Sequence, residues 1–248
     1  ALHTPTHQGQ FLWPGIKQGY TRDVVVDDGK YTLTTLSLRP LVIKIGEFLL
    51  DEESEMIIKV AKADLRRSGV VNMDNSGDDT HEVRTSTNTG LRRGKTKKIK
   101  AIELRAHQLT RLPYELGEEI QVVRYAPKQK YDAHRDFFHP NDYVTQPSIL
   151  NWVDCGARNR LATVFWYLNS VQGDGGETYF PRALNKDGDE YTQWNYDYKD
   201  CYKGIAVKPV KGEAIIFYSM LPDGSSVCVS TVLLLLLMLV FLLFVVVV

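Results

Sequence analysis

The chain of 248 residues is 44% hydrophobic and 24% charged, an ordinary globular balance with enough apolar side chains for a sizeable core. Thirty basic residues cancel thirty acidic ones, which excludes a global field that would draw the protein to nucleic acid or to an acidic partner. Cys155, Cys201 and Cys228 fit neither a dense disulfide framework nor a paired metal motif. They leave open a bridge between Cys155 and Cys201, or buried or free thiols, and with that the redox compartment.

Residues 1 to 40 mix Gly, Pro, Thr and His without a sustained period and read as an N-terminal extension, beginning at Ala1 with no charged-then-apolar leader. PLVIKIGEFLL opens the folded domain with a short apolar strand. Asp51 is expected to cap a helix with an acidic first turn and an apolar face of Met56, Ile57, Val60 and Leu65, closed by Ser68-Gly69. Between Arg92 and Lys100 stand six Lys or Arg in nine residues. No aromatic residue interleaves with them, so this run reads as a solvated loop and helix start instead of a polyanion site. Ile99, Ile102, Ala106 and Leu109 recur at helical spacing, predicting a second helix from Thr96 to Leu112 that Pro113 stops.

Beyond Pro113 the pattern becomes short runs rich in Val, Ile, Tyr and Phe: IQVVRY, RLATVFWYLN, GETYF, GIAVKPV and EAIIFYSM, separated by Gly, Pro, Asn and Asp. Helices followed by antiparallel strands predict an α+β domain, residues 41 to 226, with a sandwich or barrel-like β core. Residues 227 to 248 break this pattern. From Val232 onward 17 residues are unbroken apolar, against about 20 needed to cross a bilayer. The tail reads either as a C-terminal membrane anchor or as sequence foreign to the fold, such as translated intron or a shifted frame, because it replaces a patterned strand abruptly after PDGSS.

The chemistry concentrates in HRDFF, residues 134 to 138. An imidazole and a carboxylate suit Fe(II), and the two-His-one-carboxylate arrangement leaves three positions open for a cosubstrate and oxygen. On a strand, residues two apart point to one face, so His134 and Asp136 are expected to reach one ion. Chance supplies about 0.4 His-x-Asp pairs in a chain of this composition, so the spacing alone is a weak signal.

The surrounding motifs strengthen it. QVVRYAPKQKYDAHRDFF, RLATVFWYLN, GGETYFP and VKPVKGEAIIFYSMLPDG follow one another in order, with FLLDEESEMII and VRTST upstream. Together, over about residues 41 to 226, they resemble the catalytic domain of prolyl 4-hydroxylases. The resemblance implies a double-stranded β-helix (jelly-roll) core with supporting N-terminal helices. It also implies peptidyl-proline hydroxylation coupled to splitting of 2-oxoglutarate, with Fe(II) and with ascorbate keeping the iron reduced. His134 and Asp136 match the first two iron ligands, and Tyr125 and Thr178 match positions lining the 2-oxoglutarate pocket. Arg84, Ser86, Glu118, Tyr131 and Arg160 match positions that contact an extended proline-rich or collagen-like polypeptide. Such a peptide has no internal hydrogen bonds, so polar side chains and aromatic faces can grip it. The endoplasmic reticulum is the compartment implied, with membrane association through the tail.

Two departures stand out. Lys128 replaces a glycine usual in the turn before Tyr131, so this loop is expected to differ in shape. More seriously, the resemblance requires a distal His and then a Lys that pairs with the far carboxylate of 2-oxoglutarate, yet no His follows His139 and no Lys or Arg follows Lys211. His139 is expected to point off the strand face, ahead of a turn at Pro140. A carboxylate buried unpaired costs several kcal/mol, about a thousandfold in affinity. Turnover by this chain is therefore expected to be poor or absent, and a catalytically inactive module that binds proline-rich peptide is the alternative.

Overall fold

The computed structural model describes residues 11–68, 84–134, 136–153, 159–181, 183, 204–220, 232–235 and 240–247. Cys155, Cys201 and Cys228 lie outside them, as does the PDGSS segment.

Strands β1 (Thr21–Val26) and β2 (Gly29–Leu38) form an antiparallel hairpin, and β2 pairs in turn with β3 (Leu41–Ile45). The ordered sheet thus begins about 20 residues before the expected strand, inside the stretch read as an extension. The inward positions of β2 are Tyr31, Leu33, Thr35 and Ser37. The period of two is present, but two of its four buried residues are Thr and Ser, which conceals it from a hydrophobicity pattern. Trp13 fastens the preceding segment, donating its indole N–H to the Leu109 carbonyl at 2.7 Å and its backbone N–H to the Tyr218 hydroxyl at 3.1 Å.

Helix α1 (Asp51–Lys62) starts one residue differently from expectation. Asp51 is its first helical residue, Leu50 occupies the cap, and the Glu53 carboxylate accepts the Leu50 backbone N–H at 2.9 Å. A carboxylate three residues into a helix can reach back to the cap amide, so the acidic turn serves the helix from inside. Strands β4 (Arg66–Arg67) and β5 (Thr87–Leu91) precede helix α2 (Lys97–Thr110). Thr96 caps α2 by accepting the Ile99 N–H at 3.1 Å, and the helix ends at Arg111 in the left-handed region. In the basic stretch ahead of it, the Arg93 guanidinium lies 4.1 Å from the Tyr114 ring centroid, an aromatic partner brought there by folding.

The remaining elements are β6 (Ile120–Tyr125), β7 (Lys130–His134), the short helix α3 (Pro147–Trp152), β8 (Ala162–Tyr167), β9 (Thr178–Phe180), β10 (Ile205–Val207), β11 (Ala214–Tyr218), β12 (Val232–Leu235) and β13 (Val240–Val247). They complete two sheets of antiparallel neighbours, one ordered β1-β2-β3-β11-β8-β13-β6-β5-β4 and the other β10-β9-β12-β7. The described part of the apolar tail pairs within these sheets, β13 between β6 and β8 and β12 between β9 and β7. Among the described residues no helix is long and apolar enough to cross a membrane.

Both faces of the larger sheet are covered at its centre, so strands β8 and β11 are buried at every position. Against one face pack Ile57 and Ala61 of α1 and Ile99, Ile102, Ala106 and Leu109 of α2, meeting Ile43, Val122, Trp166 and Ile216. The other face turns Val123, Tyr125, Phe165, Ile215 and Phe217 towards Phe180 and Val207 of the smaller sheet. Each fully buried aliphatic or aromatic side chain of this kind contributes about 1.5–3 kcal/mol. At the helix-to-sheet junction Arg105 donates to both carboxylate oxygens of Glu53 (2.8 and 2.9 Å), to Asp28 (2.6 Å) and to the Phe48 carbonyl (2.5 Å), so the buried guanidinium is matched on every side.

Candidate active site

The pairing β7-β12-β9 brings one end of the smaller sheet against the loop after β7, and the candidate residues gather there. Strand β7 ends at His134, so Asp136 does not occupy the next inward position of a strand; it lies in the bend just beyond. The two side chains nevertheless face each other, His134 Nε2 standing 3.4 Å from Asp136 Oδ1. Side chains from elsewhere produce this. Thr163 of β8 donates its hydroxyl to Asp136 Oδ2 at 2.7 Å. Asn159 grips the backbone of Phe138 on both sides, accepting its N–H at 2.9 Å and donating to its carbonyl at 2.6 Å, which holds the loop in place.

His134 is oriented from two directions. Its Nδ1 lies 2.9 Å from the Asp132 carbonyl oxygen. A carbonyl can only accept, so Nδ1 carries a proton, and Nε2 is the ring nitrogen turned towards Asp136. The imidazole also stacks on the Tyr131 ring at 3.8 Å between centroids and 21° between planes, while the Arg84 guanidinium sits 4.5 Å from the same ring. Burial is the largest single influence on Asp136 and opposes its ionisation. His134, Arg160 and Thr163 together outweigh it and hold the carboxyl below its ordinary value.

Arg160 forms a two-pronged pair with Glu118, both N···O distances being 2.9 Å, and its guanidinium lies 4.8 Å from the Phe138 ring and 5.5 Å from that of Trp152. Arg84 donates to the Ser86 hydroxyl at 3.2 Å, and Ser86 shares a 2.9 Å hydrogen bond with Ser68. Ser86 is fully buried, so it supports Arg84 from below instead of reaching an open surface. Tyr125 is buried nearby, and burial pushes its phenol well above the usual tyrosine range. Thr178 is buried on β9, accepting the Tyr167 hydroxyl at 2.8 Å. In the smaller sheet β12 separates it from His134.

Folding thus links Arg84, Ser86, Tyr131, His134 and Asp136 into one chain of contacts, with Glu118 and Arg160 beside Asp136 and Thr178 one strand further away. Sequence reasoning missed Thr163, Asn159 and Tyr167. The signal for Thr163 is a single threonine in the otherwise apolar and aromatic run ATVFWY; nothing local distinguishes Asn159. Lys128 stands at φ 67°, in the left-handed region that glycine adopts freely, and the lysine bears the strain.

For a metal the set is incomplete. Donors about 2.1 Å from a common ion and at right angles to one another lie about 3.0 Å apart, so the 3.4 Å separation of His134 and Asp136 suits two adjacent positions. Among the described residues no group of three His, Cys, Asp or Glu could hold an ion. His139 precedes the 3-10 turn Pro140–Tyr143, and its Nδ1 is buried without a hydrogen-bond partner. The position paired with His134 across the sheet belongs to Val232, which has no donor atom.

The 2OG-Fe(II) oxygenase superfamily model matches residues 120–231, a span holding His134, Asp136, Thr163, Arg160 and Thr178. Residues 120–231 thus form a 2OG-Fe(II) oxygenase domain, and homologues of the chain are prolyl 4-hydroxylases. The chain is 40% identical over 189 residues to a probable prolyl 4-hydroxylase 4 of Arabidopsis thaliana, and 38% identical over 189 residues to prolyl 4-hydroxylase 2 of the same plant. Each alignment takes in 76% of this chain and 60% of the relative, so the chain spans well under two thirds of the length of these homologues. Among solved structures, the viral collagen prolyl hydroxylase of Paramecium Bursaria Chlorella virus-1, complexed with 2OG, superposes with a TM-score of 0.56 at 23% identity, over 84% of this chain and 96% of that one. A Trichoplax adhaerens prolyl hydroxylase in complex with a hypoxia inducible factor oxygen degradation domain peptide fragment gives 0.53 at 12% identity, over 83% and 82%. The fold is therefore the jelly-roll oxygenase fold of prolyl hydroxylases, with its mixed sheets and helices.

Proposed function

We propose that this domain is of the type that hydroxylates peptidyl proline at carbon 4, coupled to oxidative decarboxylation of 2-oxoglutarate by Fe(II) and O2, on a double-stranded β-helix. We further propose that the present chain does so poorly or not at all. The single observation that carries this reading is the His134–Asp136 pair, its carboxylate buried, together with the Arg160–Glu118 clamp within the matched oxygenase domain. Kinship with prolyl 4-hydroxylases supports a proline-rich or collagen-like polypeptide as substrate, ascorbate as the reductant that maintains the iron, and the endoplasmic reticulum as the compartment.

The chain's own residues prepare the two donors. The Asp132 carbonyl fixes the His134 tautomer, and Tyr131 holds its ring plane. Thr163 and Arg160 keep Asp136 ionised in a buried place. Glu118 neutralises Arg160 while leaving the guanidinium over the rings of Phe138 and Trp152, an aromatic-lined setting of the sort that receives extended proline-rich chains. With two donors instead of three, no reaction step is assigned to iron here.

The missing donor favours a second reading, a peptide-binding module that needs no metal. Succinate release with a poly-proline peptide separates the two. Release that requires Fe(II) and 2-oxoglutarate supports the enzyme, whereas peptide binding indifferent to both supports the module. Absence of turnover and of peptide binding alike would refute both readings.

A further inference from the structure

We propose that His107 is a positioning residue for the Arg160–Glu118 clamp, holding the backbone that carries Glu118 while its ring is neutral and releasing it when the ring takes a second proton. The inference rests on the reading of that clamp as part of the peptide-contacting site, but the residue it adds lies outside the site. His107 stands in the last turn of α2 and is only 4% exposed. Its Nδ1 lies 3.2 Å from the Leu112 carbonyl oxygen, which can only accept, so Nδ1 carries a proton. In the neutral ring Nε2 then keeps a bare lone pair, and Gly117 is packed against it. A carbon added to Gly117 would come within 2.5 Å of Nε2 and 2.9 Å of Cε1. The backbone there is extended, at φ −74° and ψ 138°, which any residue adopts, so the need for glycine comes from the ring instead of from the turn.

One peptide bond further on, Glu118 takes both prongs of Arg160, each at 2.9 Å, and Arg160 helps to keep Asp136 ionised. The ring therefore bears on the clamp through a single residue. A bare Nε2 tolerates the weak approach of a Cα–H group. A protonated Nε2 is a charged donor that needs an oxygen. The Tyr114 carbonyl beside Gly117 already accepts the Gly117 N–H at 3.1 Å and the Arg93 guanidinium. Either the turn shifts, or a buried charged donor goes without a partner, which is the costlier outcome. The titratable and charged neighbours are Tyr114, whose ring meets the imidazole edge-on at 5.3 Å, Glu115 in the same turn, and Arg93 ahead of α2. Glu103 and Lys100 of α2 reach Tyr114 instead, at its hydroxyl and its ring. Burial is the largest influence on the ring and keeps it neutral at neutral pH, with Arg93 acting in the same direction and the Leu112 carbonyl and Glu115 against it.

The Nε–H of Arg160 reports the clamp without peptide, metal or turnover, because its exchange with water is slowed while Glu118 holds it. In the isotope-labelled full chain, its protection relative to free arginine at the same pH is expected to fall about fivefold or more as the His107 ring, followed by its own resonances, takes its second proton below pH 6.5. His107→Asn, which can still donate to the Leu112 carbonyl, should keep the protection until the carboxylates themselves titrate. Gly117→Ala should lower it by a similar factor at neutral pH, and adding His107→Ala, which vacates the space, should restore it. An equal loss on acidification in His107→Asn and in the unaltered chain overturns the assignment even if Gly117→Ala does not fold. So does a folded Gly117→Ala with its protection unchanged. Affinity for a poly-proline peptide is then compared on either side of the His107 midpoint in the unaltered chain and in His107→Asn, so that titration of His134, common to both, cancels. Weaker binding on the acid side in the unaltered chain alone ties the device to the peptide site. A clamp that responds while peptide affinity does not would refute the peptide reading of Arg160 and Glu118 and leave the positioning role of His107 standing.

Discussion

Replacing Thr163 by valine tests the local chemistry that makes Asp136 usable. The two side chains are almost wholly withdrawn from water, Asp136 at 4% exposure and Thr163 at 0%, and their 2.7 Å hydrogen bond runs from a hydroxyl to a charged carboxylate. Valine has nearly the same shape, so no cavity forms and the loss is the bond itself, about 1.5–3 kcal/mol for a hydrogen bond to a charged group. For a domain of this size a loss of about 2 kcal/mol lowers Tm by roughly 4–8 °C. Urea unfolding with an unchanged m value measures it directly. The same substitution made in an Asp136→Asn background should cost less, since the acceptor is then neutral, and the difference between the two backgrounds should exceed about 0.5 kcal/mol. Thr163→Ser keeps the hydroxyl and should lose only about 0.8 kcal/mol for its missing methyl. A Thr163→Val loss below about 0.5 kcal/mol, or one of equal size in both backgrounds, would refute this account of how Asp136 is held.

Arg105→Leu leaves Glu53 as a buried carboxylate without its partner and should destabilise by about 3–5 kcal/mol in urea unfolding, a loss that Glu53→Leu added to it partly reverses. Lys128→Gly relieves the left-handed strain at φ 67° and should stabilise by about 1 kcal/mol; an unchanged or lowered Tm would mean that the turn is not strained. His107 is buried against Tyr114, and burial lowers its pKa below the ordinary 6.5. The unfolded chain therefore takes the proton first, so the stability it lends is fully present above pH 6.5 and declines as pH falls below that value. His107→Asn, which can still donate to the Leu112 carbonyl, should flatten that decline when unfolding is compared on either side of pH 6.5.

Much of the site was legible before folding because it is local. His134 and Asp136 lie in one pentapeptide, and Thr96 with Ile99, Ile102, Ala106 and Leu109 spells out a capped amphipathic helix that the structure reproduces to within a residue or two. The five strand segments after Pro113 also form where their β-branched and aromatic composition placed them. Strand β2 escaped because Thr35 and Ser37 take inward positions, and burial of a hydroxyl is decided by neighbours that no periodicity reveals. Asp51 was assigned the cap because acidic residues are common there, whereas the actual amide partner, Glu53, follows from where the Leu50 backbone turns.

By itself the sequence determined helix α2, the five strand segments read after Pro113, the imidazole–carboxylate motif, and the lack of any histidine after His139, since each is a property of residue order and side-chain chemistry. Tertiary structure alone decided that Asp136 leaves the strand yet turns back to His134, that Thr163, Asn159 and Arg160 hold it there, and that Val232 falls opposite the histidine. Those outcomes depend on contacts between segments tens of residues apart. Their geometry is set by strand register and by the need to satisfy every buried charge, and neither is encoded at a single position.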